Sequence, residues 1–359
     1  MNKTKSIKSK DGNLEVRYDD VTHVCIAPNI YPLIQYLLLM DDDTIFHHTY
    51  YFLNDTVPER MRSSLPCYEC KYINRSIKDK IMKRIHKFRF RFLRFLHFPF
   101  LKTAEIYAFD LPYLSICIGN RSYQLLSDGP NWLTLNMRTQ SKTYHRQLTI
   151  ANSLRGKIDR FVLGDLYIYY FGNNKQCKAI HLTEENQSPV LEGKAVYINS
   201  FSSLWDKSSE KKRSFIKNLI DVTDDDIRLL SNKSYIYFSQ PLVKDCDLTE
   251  EEYVVVLQKI FQNYPMNDLI IKTHPRDFFD YKKYFPEIEI YTKPVNSQIL
   301  SMLGLSPKKV ITIFSTAVEA FPESVECDYY GTWVHPKVAA FFGEDYKPNR
   351  KVNFVELPK

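Results

Sequence analysis

The stretch Asp268–Tyr281, DLIIKTHPRDFFDY, decides how the rest of the chain is read. Leu269–Thr273 (LIIKT) is a short apolar run with β-branched side chains, which predicts a buried strand. The strand ends on His274, and Pro275 follows directly, so the imidazole sits where the chain leaves the sheet. Lys272 and Arg276 place positive charge on either side. In an open parallel sheet, ligands bind outside the carboxyl ends of the strands. A histidine there is either a ligand-facing group or an ordinary hydrogen-bonded loop residue.

Moving outward, Glu287–Tyr291 (EIEIY) predicts a short strand, Ser297–Leu303 a helix, and Lys309–Phe314 (KVITIF) a further strand. That strand runs into Ser315-Thr316 and a predicted helix over Ala317–Phe321. Upstream, Tyr235–Phe238 (YIYF) predicts a strand. A helix then begins at Leu248-Thr249, with Glu250, Glu251 and Glu252 in its first turn, where negative charge suits the helix dipole. The N-terminal half alternates in the same way. His23–Ala27 (HVCIA) precedes a helical stretch over Tyr31–Met40, and strands are predicted at Thr44–Phe52, Ala104–Phe109, Leu114–Gly119 and Ser122–Leu126. Such alternation predicts an α/β protein built on mostly parallel sheets. A polar segment containing DKSSEKKRS separates the halves. The expected organisation is a Rossmann-like domain over 1–185, a connecting region over 186–230 and a second Rossmann-like, nucleotide-binding domain over 231–359, with a cleft between the two domains.

A chain of 359 residues has room for two such domains. Its 44% hydrophobic and 25% charged residues are the usual balance of a folded soluble protein. The 25 Tyr and 23 Phe serve to fill cores, or to stack on sugars and bases. Much of the net charge of +7 sits in one segment, Ile77–Phe95. Ile77, Ile81, Ile85, Phe88, Phe92 and Phe95 recur at helical spacing, while Lys78, Lys80, Lys83, Arg84, Lys87, Arg89, Arg91 and Arg94 occupy the other faces. A basic amphipathic helix of this kind lies on an anionic membrane or packs its apolar side on the domain. No nucleic-acid motif accompanies it. No apolar run approaches the roughly 20 residues of a membrane span, and the start MNKTKSIKSKDGN lacks a signal-peptide core. A cytoplasmic protein is therefore expected, with peripheral attachment at the inner face of the plasma membrane as the alternative that the basic helix leaves open. Of seven cysteines only Cys67 and Cys70 form a C-x-x-C pair, without the second pair or spaced histidines of a zinc site, so free thiols are expected. Whether the chain acts alone or as a homodimer stays open.

Two further features bear on His274. Ser315 and Thr316 stand at a predicted helix N-terminus, where hydroxyls and backbone N–H groups bind an anion; the same pattern is also an ordinary N-cap. Asp128, in YQLLSDGPN, follows a predicted strand and is either a general base or simply the Asp of an Asp-Gly turn. The runs Asp41–Asp43 and Asp224–Asp226 lack the placement of a D-x-D metal motif, and the second reads as a Thr-capped helix start. His335-Pro336 reads as a turn before a helix, with Pro near its first position.

The segments KTHPRD and FSTAVEA, each at a strand end and with Ser315 41 residues after His274, follow an upstream SDG. In this order they resemble bacterial sialyltransferases, which carry acidic-acidic-Gly, His-Pro and Ser-Ser/Thr motifs. Glycosyltransferase family 52 and the capsule polysialyltransferases are the nearest groups, and FSQPL (Phe238–Leu242) is similar to the Gln-Pro segment of their nucleotide-binding domain. The resemblance implies a GT-B fold with two Rossmann-like domains, a CMP-sialic acid donor, and inversion at the anomeric carbon with neither metal nor cofactor. It implies that His274 contacts the CMP phosphate and acts as general acid, with Ser315 and Thr316 on the same phosphate. Lys272, Pro275 and Gln240 would complete the nucleotide site, and Asp128 would be the base. The pattern departs at Ser127, where the family has Asp or Glu, which leaves Asp245, Asp247 and Glu252 as alternative bases. The implied reaction transfers sialic acid to a galactoside or sialoside hydroxyl of a capsule, lipooligosaccharide or O-antigen. Transfer from another donor such as CMP-Kdo, or a non-catalytic glycan- or membrane-binding role, are the alternatives.

Overall fold

The computed structural model describes residues 6–70, 89, 93–110, 115–129, 147–165, 169–185, 189–343, 348 and 350–357. They divide into two units, Met1–Ile220 and Asp221–Lys359.

The first unit opens with an antiparallel pair, β1 (Ser6–Lys8) and β2 (Glu15–Arg17). Its main sheet contains β3 (His23–Ala27), β4 (Thr49–Asn54), β5 (Cys67–Cys70), β6 (Glu105–Ala108), β7 (Tyr123–Leu125), β8 (Cys177–Leu182) and β9 (Ala195–Ile198). The order is β5-β4-β3-β6-β7-β8-β9 and every pairing is parallel. The chain works outward from β3 to β5, then crosses back to β6, so the topological switch lies between β3 and β6. β4 is buried along its whole length, as expected of a parallel strand covered on both faces. The core gathers Val24, Ile26, Phe52, Ile106 and Leu125 around the aromatic rings of Tyr50, Phe98 and Phe100.

Two predicted strands changed. Thr44–His48 is a single π-helical turn, because Asp41 accepts both the Thr44 N–H (2.8 Å) and its hydroxyl (3.0 Å), and the strand starts only at Thr49. Ser115–Ile118 is a helical turn that stops at Gly119, whose φ of +63° suits glycine. Short apolar runs have no periodicity that separates a strand from a buried helical turn.

The polar segment expected to connect the halves over 186–230 carries structure of its own. β9 and the helices Phe201–Asp206 and Glu210–Ile220 belong to the first unit, while the helix Asp224–Ser231 belongs to the second. Phe201, Trp205, Ile216 and Leu219 are buried, so an apolar stripe runs through a sequence that is polar on average. Ser209 donates to Asp42 (2.6 Å), Lys212 Nζ to the Met40 carbonyl (2.5 Å), and Phe215 packs edge-on against Phe46. Asp42 thus has a structural partner, and Asp226 closes a capping box with Thr223.

The basic segment 77–95 lies mostly outside the described residues. At its end Arg94, expected on a solvated face, is buried with its guanidinium beside Gly119 and over the Phe95 ring. No described helix is long and apolar enough to cross a membrane. All seven cysteines are free thiols.

The second unit holds β10 (Tyr235–Phe238), β11 (Leu269–Lys272), β12 (Glu289–Tyr291), β13 (Lys309–Thr312), β14 (Glu326–Tyr329) and β15 (Asn353–Phe354). Their order is β12-β11-β10-β13-β14-β15, again parallel throughout, with the switch between β10 and β13. Helix Glu250–Phe261 begins as expected at Thr249, in a capping box with Glu252, and buries Tyr253, Val256, Leu257, Ile260 and Phe261 on one side. Both units are thus Rossmann-like layers, in agreement with the α/β expectation.

Candidate active site

The carboxyl edge of the second sheet brings together three loops. His274 follows β11, Ser239 and Gln240 follow β10, and Ser315 follows β13. β11 and β13 are not neighbours, since β10 lies between them, so the His274 and Ser315 loops start about 9–10 Å apart. The β10 loop links them. Ser239 Oγ accepts the His274 N–H at 3.0 Å, while Gln240 Oε1 accepts the Phe314 N–H at 3.1 Å. Consecutive residues at a strand end point to opposite sides, which lets one dipeptide hold both loops.

His274 is tightly constrained. Its carbonyl accepts the Asp277 N–H (2.9 Å), closing a turn with Pro275 at the second position, where proline's fixed φ is already suited. Its ring Nδ1 accepts the Arg276 N–H at 3.1 Å, leaving Nε2 for a ligand. Partial burial, aided by the charges of Arg276 and Lys272 and opposed by Asp245, pulls the pKa down to about 4. A cavity of about 460 Å³ is lined by His274 together with Pro275, Phe278, Tyr281, Ile290 and Thr292, among others.

The other expected site residues divide. Ser315 is an N-cap: its Oγ accepts the Ala317 N–H at 3.1 Å, and its own N–H donates to Thr312 Oγ1 at 3.0 Å. The helix predicted behind it is a five-residue 3₁₀ helix, Thr316–Ala320, ended by Phe321 in extended conformation before Pro322. So short an element has little dipole, and any anion binding rests on the hydroxyls and loop N–H groups. Lys272, expected at the nucleotide, is instead 3% exposed, with Nζ on the Thr273 carbonyl at 2.7 Å. Burial pulls its pKa down to about 8.

In the first unit, Asp128 lies just beyond β7 at the carboxyl edge. Asn29, the N-cap of helix Ile30–Leu39, donates its side-chain amide to Asp128 Oδ1 and accepts the Tyr31 N–H at 2.9 Å. Burial pushes the Asp128 carboxyl up to about 6, against the pull of the Asn29 hydrogen bond. Ser127, where the resembling families have an acid, is fully buried, with its N–H on Gln35 (2.6 Å) and its hydroxyl on the His181 carbonyl (2.8 Å). A side chain there points into the fold, so the departure at Ser127 falls on an interior position.

The model of glycosyltransferase family 52 matches residues 36–338. The chain belongs to glycosyltransferase family 52. An uncharacterized protein of Haemophilus influenzae is 37% identical over 247 residues, 68% of this chain and 74% of its own. The solved 2,6-sialyltransferase of Photobacterium sp. JT-ISH-224, in complex with CMP and lactose, aligns with a TM-score of 0.56 at 12% identity, covering 86% of this chain and 71% of its own. The GT-B domain of a Photobacterium damselae sialyltransferase aligns at 0.52 and 12% identity, covering 86% and 90%. The fold of this glycosyltransferase is therefore GT-B type, two Rossmann-like domains.

Within the glycosyltransferase two of the alternative carboxylates, Asp245 and Glu252, have other partners. Asp245 pairs with Arg276 (3.1 Å), and Glu252 serves its capping box and Lys337 (2.7 Å). Asp247 is exposed on a left-handed backbone (φ +55°), with its carbonyl accepting from Lys337 at 3.1 Å. Two residues escaped the sequence reading. Asp277 accepts the Ser239 hydroxyl and the Tyr281 hydroxyl (2.8 Å) on Oδ2. Ser239 lies inside the quoted FSQPL, and Asp277 closes the H-P-x-D turn, so the turn signature was there to be read.

Proposed function

We propose that the protein is a sialyltransferase that moves sialic acid from CMP-sialic acid to a hydroxyl of a terminal galactoside or sialoside on a bacterial surface glycan, inverting the anomeric centre without a metal or cofactor. The observation that carries this reading is the His274 turn, which leaves one imidazole nitrogen for a ligand beside a nucleoside-sized cavity at the carboxyl edge of the second sheet. The family and the likeness to sialyltransferases, one bound to CMP and lactose, support it.

In this reading the cytidine occupies the cavity, and the phosphate meets His274 Nε2 with the hydroxyls of Ser315 and Thr316. The acceptor oxygen forms a bond to the anomeric carbon as the carbon–oxygen bond to CMP breaks, with that electron pair leaving on the phosphate. The acceptor proton passes to Asp128, which is ionised at neutral pH with a pKa of about 6. The donors around the phosphate stabilise the charge that develops there. Attachment at the inner face of the plasma membrane through the segment 77–95 belongs to the same proposal.

The test is purified protein with CMP-sialic acid and lactose or a sialoside, in EDTA, scored by CMP release and product. Transfer that persists in EDTA, together with thermal stabilisation by CMP but not UDP or GDP, is expected. A strict need for Mn²⁺ or Mg²⁺, or stabilisation by UDP or GDP alone, overturns the reading. Transfer only from CMP-Kdo identifies a different donor.

A further inference from the structure

Each polar atom of His274 other than Nε2 already has a partner. The backbone N–H donates to Ser239, the carbonyl accepts from Asp277, and Nδ1 accepts from the Arg276 N–H. A backbone N–H can only donate, so Nδ1 must present its lone pair and the ring proton must sit on Nε2. A second proton on Nδ1 would oppose the Arg276 N–H and open the turn.

We propose that His274 meets the leaving phosphate as a neutral imidazole donating a hydrogen bond from Nε2, and that Ser239 and Asp277 are positioning residues that hold it in this form. The proposal rests on the reading of the chain as a CMP-sialic acid transferase and revises the general-acid role implied by the resemblance. The leaving phosphate has a second pKa of about 6, so at neutral pH it departs as an anion that needs a donor rather than a proton. The neutral histidine of a known isomerase works as an electrophile in the same way.

The charges around the ring agree. Arg276 and Lys272 are positive neighbours on its own strand and turn. Asp245, from helix Leu242–Asp245, is engaged by Arg276. Asp277 is committed to Ser239, Tyr281 and the Phe279 N–H. Asp280 and Lys282 line the same cavity, with Lys282 Nζ held by the Pro286 and Ile288 carbonyls. The depressed pKa of His274 is a consistent consequence.

The positioning role follows from the hydroxyl of Ser239. To accept the His274 N–H, that hydroxyl must turn its own proton elsewhere, and Asp277 Oδ2 takes it. Asp277 is in turn anchored through Tyr281, whose hydroxyl lies 3.0 Å from that of Tyr253, itself 3.3 Å from that of Tyr237. This buried row ties the turn to the core of the second unit.

The deciding experiment is NMR of the full chain with ¹⁵N-labelled histidine, alone and with CMP, from about pH 5 to about pH 8. His274 is assigned by its loss in His274→Gln. A bare Nδ1 and a protonated Nε2 throughout are expected; an imidazolium in the CMP complex near pH 7 overturns the proposal. In transfer assays His274→Ala should lose about 10²–10³-fold in kcat, and His274→Gln, whose amide donates without titrating, should recover about tenfold or more of that loss. A Gln variant as inactive as Ala overturns the neutral-donor role. Ser239→Ala and Asp277→Asn, checked by thermal melting, should show a mixture of His274 tautomers and a lower kcat. An unchanged tautomer in both folded variants overturns the positioning role. If the wild type does not use CMP-sialic acid, the functional reading fails, while the spectra still decide the tautomer.

Discussion

Two His-Pro pairs sit in the second unit, and nearly the same local geometry serves different ends. His274 and His335 each accept the N–H of the residue two places on through Nδ1, at 3.1 and 3.2 Å. At His335 the proline is the first residue of helix Pro336–Phe342, the imidazole is its N-cap, and Nε2 lies 4.0 Å from Glu252. At His274 the chain leaves β11 into a turn that Ser239 and Asp277 brace, and the residue lines the cavity. The dipeptide therefore specifies a turn and a ring orientation. Whether that ring becomes a cap or a ligand group depends on the element before it and on the neighbours beyond it.

The strongest way to break this contrast is to remove each ring in turn. His274→Ala should lower transfer from CMP-sialic acid by about 10²–10³-fold with its melting temperature nearly unchanged. An equal loss in His335→Ala would erase the distinction.

The pH profile sharpens it next. A neutral His274 contributes no acidic limb above its depressed range, so Asp128 should govern the decline, with activity falling about tenfold for each pH unit below its pKa of about 6. The same shift has a consequence for stability. The folded chain holds this proton more tightly than the unfolded chain, so the contribution favours folding below the ordinary carboxylate range and is lost as the pH rises through about 6. Asp128→Asn should therefore melt higher than wild type at neutral pH while losing about 10²–10⁴-fold in transfer. A lower melting temperature there would count against the buried-carboxylate account.

Smaller effects belong to the capping pair. His335→Ala should cost about 1 kcal/mol of stability, read by denaturant melts, and leave kcat unchanged. Glu252→Gln keeps a capping-box side chain but loses the charge facing Lys337, so its melting shift should be smaller still and transfer unaffected. A large loss of transfer in Glu252→Gln would return it to the candidates for the base.

The strands flanking the site were legible because their runs are long enough and bounded by turn residues: His23–Ala27 and Tyr235–Phe238 form strands over the residues predicted. Leu114–Gly119 misled because so short a run, with Cys117 and Ile118 buried, fits a helical turn equally well. The segment over 186–230 hid its buried face, since Phe201, Trp205, Ile216 and Leu219 are spread among lysines and serines. Within the candidate site, His274, Ser315 and Asp128 stood out by residue type and placement at strand ends. Ser239 and Asp277 did not, since their contact depends on β10 lying beside β11, and pairing order is not written in local periodicity.

By itself the sequence determined the alternation that builds two parallel layers, the turn at His274-Pro275, and the cap chemistry at Thr223, Thr249, Ser315 and His335, all set by local backbone sterics and hydrogen bonding. Only the tertiary structure decided that β10 separates β11 from β13, that Lys272 turns inward and that Ser127 is interior while Asp128 meets Asn29. It also decided which histidine keeps a nitrogen for a ligand. Those outcomes turn on burial and on contacts between residues far apart in the chain, which arise only when the strands take their places.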